Sequence, residues 1–275
     1  MRIALTIAGS DSIGGAGVQA DLKTFAALEV YGASVITAVT SQSTTGVSDS
    51  FALSANTVRS QIEQVSRDVT ISAVKTGMLA TAEIVEAVAE TIERLQLPNV
   101  VVDPVLAASF GGEATTRRTL LAPEAVSILK ARLLPVAAVV TPNVSEAAEL
   151  AGIAVDSLGT AREAARRILD LGPAAVVIKG GHLNGPQAVD LLLHAGVFTE
   201  FAAPRSSIGA VHGTGCTFAS AVAARLALGD DIPTAVQRAK AYVTGAIEHA
   251  FRIGHGALVL DHFWNHPSPR RGLYS

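Results

Sequence analysis

The stretch TAEIVEAVAETIERLQLPNVVVD (residues 81–103) joins a helical pattern directly to a buried-strand pattern. In its first part, apolar residues recur every three or four positions and form one stripe, as in an amphipathic helix. Its second part is a continuously apolar run of three valines that ends in Asp103. Such a run is typical of a strand buried on both faces. The stretch therefore predicts a helix and a strand of a parallel sheet that is covered by helices.

The same alternation of strand and helix patterns continues through most of the chain. Short β-rich runs recur at residues 2–8, 33–41, 72–77, 136–142 and 174–181. Further helical patterns cover residues 160–172, 214–228 and 233–252. We expect the first of these three helices to begin with a capping box formed by Thr160 and Glu163.

The segment 188–204 reads as two strands joined by a short turn at Ala195 and Gly196. It predicts an antiparallel edge beside the parallel part of the sheet. The sequence has no internal repeat and no linker long enough to divide it. We therefore expect one domain over residues 1–265, followed by a loose, proline-rich tail over residues 266–275.

Composition narrows the class of protein. The chain has 275 residues, 49% of them hydrophobic, and a net charge of −3, which gives no reason to expect nucleic acid as a partner. A single cysteine excludes an intramolecular disulfide and a cysteine-rich zinc cluster, and it fits a reducing compartment. We recognise neither a signal peptide nor an apolar run of about 18 residues. We expect a cytoplasmic protein without a membrane partner.

Ligands of open α/β sheets bind beyond the carboxyl ends of the strands, so the residues after each strand are site candidates. After the first strand, Gly15 to Ala20 match a loose dinucleotide fingerprint, G-x-G-x-x-A. Its glycines lie well past the strand end, and the second strand ends in Ser41 and Gln42 rather than in an acid. Nicotinamide binding is therefore disfavoured. The glycines serve either a tight turn or a backbone that approaches a ligand closely.

Polar side chains after the other strands each allow two interpretations. Gln42 offers a donor and an acceptor to an aminated heterocycle, or it is a solvated loop residue. Asp103 holds Mg²⁺ or takes a proton, or it caps the following turn. Glu146 positions Mg²⁺ through water, or it completes a helix capping box with Asn143. Lys179 reaches a phosphate, or it is a surface lysine.

The segment HGTGC (residues 212–216) opens a helix. Backbone N–H groups of Gly213, Thr214 and Gly215, together with the helix dipole, predict an anion site. The chain has no G-x-x-x-x-G-K-[ST] motif, so it is not a P-loop protein. We expect the pKa of the Cys216 thiol in the first helical turn to lie below its usual value of about 8.5. The alternative is a small, buried apolar residue.

Seven segments, taken in order, resemble the hydroxymethylpyrimidine and phosphomethylpyrimidine kinases of thiamine biosynthesis. They are IAGSDSIGGAGVQADLKTFAALEVYGASVITAVTSQSTTGV, VKTGMLATAEIVEAVAE, DPV, LLPVAAVVTPN, VIKGGH, HGTGCT and the late GHG. The resemblance covers about residues 3–263. It implies the ribokinase-like fold, a three-layer α/β/α arrangement, ATP and Mg²⁺ as cofactors, and a homodimer.

The resemblance also assigns roles on the substrate side. Gln42 would bind the aminopyrimidine, with Gly9, Asp21 and Met78 around it. Asp103 would serve the phosphate and magnesium side near the substrate.

On the nucleotide side, the resemblance implies that Asn143 and Glu146 serve phosphate and magnesium, and that Lys179 and Lys240 face ATP. The loop of Gly213, Thr214 and Gly215 would be the anion hole. Cys216 would lie beside the acceptor hydroxyl, where much of the wider superfamily has an aspartate as base. Because the hydroxyl loses its proton late in a loose transition state, a weak base suffices.

The chain departs from its relatives in two places. Ser43 stands where relatives often have Asn, and LAASFGG (residues 106–112) lacks the lysine of the relatives' flap. The missing lysine leads us to expect a weaker second phosphorylation. Two alternatives remain open at this point: a pyridoxal kinase of the same fold, and a non-catalytic pyrimidine-binding regulatory protein.

Overall fold

One central sheet contains nine strands in the part of the chain that the structure, a computed structural model, describes (residues 1–106, 123–181, 187–206, 208–209 and 211–266). They are β1 (Ile3–Asp11), β2 (Tyr31–Ser43), β3 (Gly46–Ala52), β4 (Ala73–Thr76), β5 (Val100–Val102), β6 (Val139–Val140), β7 (Ala175–Ile178), β8 (Gln187–His194) and β9 (Val197–Pro204). Their order across the sheet is β3-β2-β1-β4-β5-β6-β7-β8-β9. A separate parallel pair joins β10 (Val211–His212) to β11 (Leu258–Val259).

The six neighbouring strands β2-β1-β4-β5-β6-β7 pair in parallel, whereas β8 and β9 continue the sheet antiparallel. The predicted antiparallel edge is therefore confirmed, and its turn at Ala195 and Gly196 has positive φ angles of 49° and 76°. The opposite edge is also antiparallel, because β3 pairs with β2. The sequence did not predict this second edge.

Helices cover both faces of the sheet, which confirms the three-layer α/β/α class. The helices are α1 (Gly17–Ala27), α2 (Ala55–Asp68), α3 (Ala82–Leu95), α4 (Pro123–Ile128), α5 (Val144–Ala151), α6 (Leu158–Leu169), α7 (Thr214–Ala227) and α8 (Ile232–Glu248). Helices α2 to α6 share one hydrophobic core with the sheet, and α1, α7 and α8 share the other. No helix in the described ranges is long and apolar enough to cross a membrane.

The valine run of β5 explains how one strand serves both cores. Val100 and Val102 belong to the core under α2 to α6, and Val101 belongs to the core under α1, α7 and α8. Because successive side chains of a strand point to opposite faces, a strand between two helical layers is apolar at most of its positions. Helix α7 is itself apolar almost all round and is buried nearly throughout, and its N-terminus lies at the carboxyl edge of the sheet.

Two local predictions need correction. Helix α6 begins at Leu158 with Ser157 as its N-cap, and Thr160 closes the capping box instead of opening it. Ser157 precedes Thr160 by three residues, the spacing that a box requires, and Glu163 instead accepts a hydrogen bond from Arg167. Strand β6 is shorter than predicted, since the chain before it winds through a π turn (Leu129–Leu133) and a 3₁₀ turn (Leu134–Val136).

The strand order reverses at β1, which has β2 on one side and β4 on the other. Open α/β sheets bind their ligands at such a reversal, outside the carboxyl ends of the strands. The single domain stays a prediction. Of the predicted loose tail, residues 267–275 lie outside the described residues, as does most of the flap segment 106–112.

Candidate active site

A cavity of about 700 Å³ opens at the carboxyl edge of the sheet. Strand ends, the N-termini of α1, α5 and α7, and the side of α8 all contribute to its wall. All predicted site residues except Asp21 line it, namely Gly9, Gln42, Met78, Asp103, Asn143, Glu146, Lys179, Gly213, Thr214, Gly215, Cys216 and Lys240. Residues that are far apart in sequence are thus brought to one site by the strand order.

The N-terminus of α7 has the geometry of an anion site. Gly213 is its N-cap, with φ of 85°, and it has no side chain to accept hydrogen bonds from the first turn. A Cβ atom at Gly213 would collide with the carbonyl of Gly15, so only glycine fits there. The first-turn N–H groups of a helix have no acceptor within the helix, and here they lie at the cavity.

A lysine and a carboxylate lie against the same helix N-terminus. A Cβ built on Gly215 would be 3.1 Å from Lys179 Nζ and 3.8 Å from Asp103 Oδ2. Lys179 Nζ donates a hydrogen bond of 2.8 Å to Asp103 Oδ1. Burial lowers the pKa of Lys179, but the neighbouring Asp103 and Glu146 outweigh it and raise the pKa above its ordinary value. Lys179 therefore stays a cation and can bind a phosphate.

Glu146 and Asn143 form the capping box that the sequence allowed. The backbone N–H of Asn143 donates to Glu146 Oε2 at 2.8 Å, and the N–H of Glu146 donates to Asn143 Oδ1 at 3.0 Å. Burial raises the pKa of Glu146 to about 7, since Asp103 adds to the effect and Lys179 only partly opposes it. The side chain still lines the cavity, so capping the helix does not exclude a second role.

The donor set at this position fits Mg²⁺. No group of three or more His, Cys, Asp or Glu side chains that could enclose a metal ion occurs in the described ranges. Mg²⁺ does not need such a cage, because it keeps several waters and uses one or two carboxylates together with substrate phosphates. Asp103 and Glu146 supply two carboxylates in the same cavity as the anion site.

The structure corrects the prediction for the Cys216 thiol. The side chain is half-buried at the cavity wall, and burial raises its pKa to about 11. Lys75 lowers this pKa, but Asp21 and Asp103 raise it further. Desolvation of the thiolate and two nearby carboxylates thus outweigh the helix N-terminus, on which the sequence argument relied.

The structure also corrects the placement of Asp21. Its side chain is fully buried and does not line the cavity. Lys75 Nζ donates to both carboxylate oxygens of Asp21, at 2.9 and 2.8 Å, and Thr6 and Ser220 each donate a hydroxyl at 2.6 Å. Asp21 therefore holds Lys75, and Lys75 is the member of the pair that reaches the cavity wall.

Sequence reasoning missed several polar side chains at the cavity. Lys75 gave a signal, because a lysine inside an apolar strand needs a buried partner. Asp190 gave a weaker signal, as an acidic residue in the apolar strand β8. Its carboxylate accepts a hydrogen bond from the N–H of Gly180 and forms an ion pair with Lys240, both at 2.9 Å. Asp11 and His212 also line the cavity and lie close to Gln42.

Comparisons with known proteins identify the family. The family model described as phosphomethylpyrimidine kinase matches residues 11–261. A hydroxymethylpyrimidine/phosphomethylpyrimidine kinase of Streptomyces coelicolor is 49% identical over 262 residues, which cover 95% of this chain and 94% of the relative.

Solved structures give the same placement. A phosphomethylpyrimidine kinase from Clostridium difficile 630 is 41% identical with a TM-score of 0.78, and the match covers 90% of this chain and 100% of that one. The pyridoxal kinase of Staphylococcus aureus in complex with AMP-PCP and pyridoxal is 35% identical with a TM-score of 0.87, over 97% and 95% of the two chains. The chain thus has the ribokinase-like fold of these kinases and belongs to the phosphomethylpyrimidine kinase family.

Proposed function

We propose that the chain is an ATP-dependent kinase that phosphorylates 4-amino-5-hydroxymethyl-2-methylpyrimidine. In a second step it would phosphorylate the resulting monophosphate to the diphosphate, as in thiamine biosynthesis. The observation that carries this proposal is the position of Lys179 Nζ at a helix N-terminus without a side-chain cap, 3.1 Å from where a Cβ on Gly215 would lie. A cation beside the N–H groups of a helix N-terminus fits a phosphoryl group in transfer.

The transfer step needs few covalent contributions from the protein. The hydroxymethyl oxygen attacks the γ-phosphorus while the bond to the leaving ADP oxygen breaks. Negative charge on the phosphoryl oxygens is stabilised by Lys179 and by the N–H groups of residues 214–216. Mg²⁺, which Asp103 and Glu146 would hold, supplies further positive charge to the phosphates.

Cys216 is the proposed acceptor of the hydroxyl proton. Because its pKa is raised to about 11, only a small fraction is thiolate at neutral pH. That fraction is a strong base, and Lys75 beside it supplies positive charge. Loss of the proton late in a loose transition state makes such a minor form sufficient.

Lys240 and Asp190 are proposed to order the nucleotide side of the cavity. Asp190 joins Lys240 on α8 to the backbone of Gly180, the residue after Lys179.

We further propose a homodimer in the cytoplasm. Val39 and Phe51, paired across β2 and β3 and 48% and 70% exposed, give an apolar face for a second copy. Sedimentation velocity of the purified protein would test the dimer.

Pyridoxal phosphorylation is the second candidate activity. The specific observation in its favour is the higher TM-score to the S. aureus pyridoxal kinase, 0.87 against 0.78. Sequence identity favours the pyrimidine kinase activity, because it is 41% to the C. difficile phosphomethylpyrimidine kinase and 35% to the pyridoxal kinase.

Incubation with Mg-ATP and either ring compound, followed by mass spectrometry, decides between the candidates. We expect pyrimidine monophosphate and then diphosphate, with pyridoxal phosphate formed more slowly. Absence of any phosphorylated product would refute the kinase activity, and faster turnover of pyridoxal would make pyridoxal the preferred substrate.

Gln42→Ala should lower kcat/KM for the pyrimidine by about 10-fold, since a buried polar edge of the ring loses its partner. The KM for ATP should be unchanged.

A further inference from the structure

The carboxamide of Gln42 lies between two polar side chains. Its Nε2 is 2.7 Å from His212 Nε2, and its Oε1 is 3.2 Å from the Thr40 hydroxyl. The same His212 Nε2 is 3.2 Å from Asp11 Oδ2. His212 is 8% exposed, and its ring packs against Gly15, where a Cβ would be 2.6 Å from its Cδ2 atom. The imidazole is therefore held in place from two sides.

The state of His212 Nε2 decides which way the carboxamide of Gln42 faces. A ring nitrogen either carries a hydrogen or accepts one. With a lone pair, Nε2 accepts a hydrogen bond from the Gln42 amide, which matches the 2.7 Å contact. With a hydrogen, Nε2 donates to Asp11, and the carboxamide must turn its oxygen towards the ring. The 2.7 Å contact therefore corresponds to the first state, which leaves the Gln42 oxygen for an amino donor and the second amide hydrogen for a ring nitrogen.

The order of donor and acceptor on Gln42 matters for the ring compounds of the proposed function. Hydroxymethylpyrimidine has an amino group, a donor, on the carbon next to the one that bears the hydroxymethyl group. Pyridoxal has an aldehyde oxygen, an acceptor, at the corresponding carbon. A carboxamide held in one orientation therefore binds one ring edge with two hydrogen bonds and opposes the other.

We infer that His212, enclosed between Gly15 and Asp11, is a positioning residue that orients the Gln42 carboxamide and thereby selects an aminopyrimidine over pyridoxal. This inference rests on the proposed function. His212 acts through Gln42 and need not touch the substrate. Its removal leaves Gln42 in place but free to present either order.

A double-mutant cycle on binding tests the inference. The dissociation constants of hydroxymethylpyrimidine and of pyridoxal are measured by calorimetry for the unmodified protein, His212→Ala, Gln42→Ala and the double variant. We expect His212→Ala to weaken pyrimidine binding about three- to tenfold, the net value of one hydrogen bond, and pyridoxal binding less than twofold. In the Gln42→Ala background, His212→Ala should leave both dissociation constants unchanged, because the effects of substitutions at coupled residues are not additive.

Rescue and control variants complete the design. His212→Gln places an amide near the position of Nε2 and should recover part of the selectivity. His194→Ala, in the β8–β9 hairpin, should leave both constants unchanged. If melting curves show that His212→Ala is unfolded, His212→Asn, which keeps a polar group but is too short to reach Gln42, takes its place.

Equal losses for both rings, or additive losses in the cycle, would overturn the inference and assign His212 a purely structural role. If the unmodified protein phosphorylates the pyrimidine while the cycle is additive, only this inference fails. If it binds neither ring, the proposed function and the inference fail together.

Discussion

The lone thiol of the chain provides a direct test of the site's electrostatics. Cys216 is the only cysteine, so an alkylating reagent that reacts with thiolates reports on this one side chain. The experiment measures the rate of alkylation by iodoacetamide from pH 6 to pH 10, without added ATP or Mg²⁺. Cys216→Ser gives the background, and the urea-unfolded protein gives the rate of an ordinary thiol.

The structure sets the expected size of the effect. A pKa of about 11 leaves roughly one thiol in ten thousand ionised at pH 7 and about one in a hundred at pH 9. The alkylation rate should therefore rise about tenfold per pH unit between these values and show no plateau below pH 10. In urea, where burial is lost, the rate should level off near pH 9.

The same titration constrains catalysis. If the thiolate takes the hydroxyl proton, kcat/KM for the pyrimidine rises in parallel with alkylation, and Cys216→Ser loses about 10²–10⁴-fold in turnover. Cys216→Asp should recover part of the rate and lose the pH dependence. An alkylation midpoint below pH 8.5 would refute the burial argument. A kcat/KM independent of pH from 7 to 9 would remove the thiolate as base.

Two further predictions follow from the buried charges. Mg²⁺ affinity, measured by titration in the presence of ADP, should rise as the pH increases to about 7 and then level off, since Glu146 would have to lose its proton to bind the metal. Glu146→Gln should abolish this pH dependence. A flat pH profile in the unmodified protein would contradict the prediction. Lys75→Met should lower the free energy of unfolding in urea by about 3–5 kcal/mol, because it leaves the fully buried carboxylate of Asp21 without its cation. The matched surface change Arg59→Met, at an exposed pair with Glu90, should cost less than about 1 kcal/mol, and equal losses would show that burial is not the cause.

Much of the fold follows from short-range patterns. Residues 99–103 predicted a strand buried on both faces, and β5 divides its valines between two cores. Strand β3 escaped prediction because its residues are half-exposed or exposed and mix polar with apolar types without an apolar run. An edge strand of this kind is stabilised by pairing with its neighbour, and sequence propensity carries little of that information.

The sequence predicted those residues of the candidate site that lie at the carboxyl ends of strands. Gln42 and Lys179 were found because Gln42 lies at the carboxyl end of β2 and Lys179 directly follows β7, and both strand ends reach the cavity. The pairing of Lys75 with Asp21, separated by 54 positions, depends on how α1 packs on the sheet. The raised pKa of Cys216 has the same origin, because desolvation depends on tertiary packing that no local motif encodes.

The charges around the N-terminus of α7 would favour the binding of a metal ion and a phosphate together. Asp103 and Glu146 share one cation, Lys179, and their surplus negative charge contributes to a pKa of about 7 for Glu146. A divalent metal ion bound by Glu146, as we propose, would therefore compete with the proton of that carboxyl group. Bound in place of the proton, the metal ion would neutralise both carboxylates and weaken the hold of Asp103 on Lys179. Lys179 would then be released to a phosphate, so metal binding and phosphate binding should reinforce each other at this edge of the sheet.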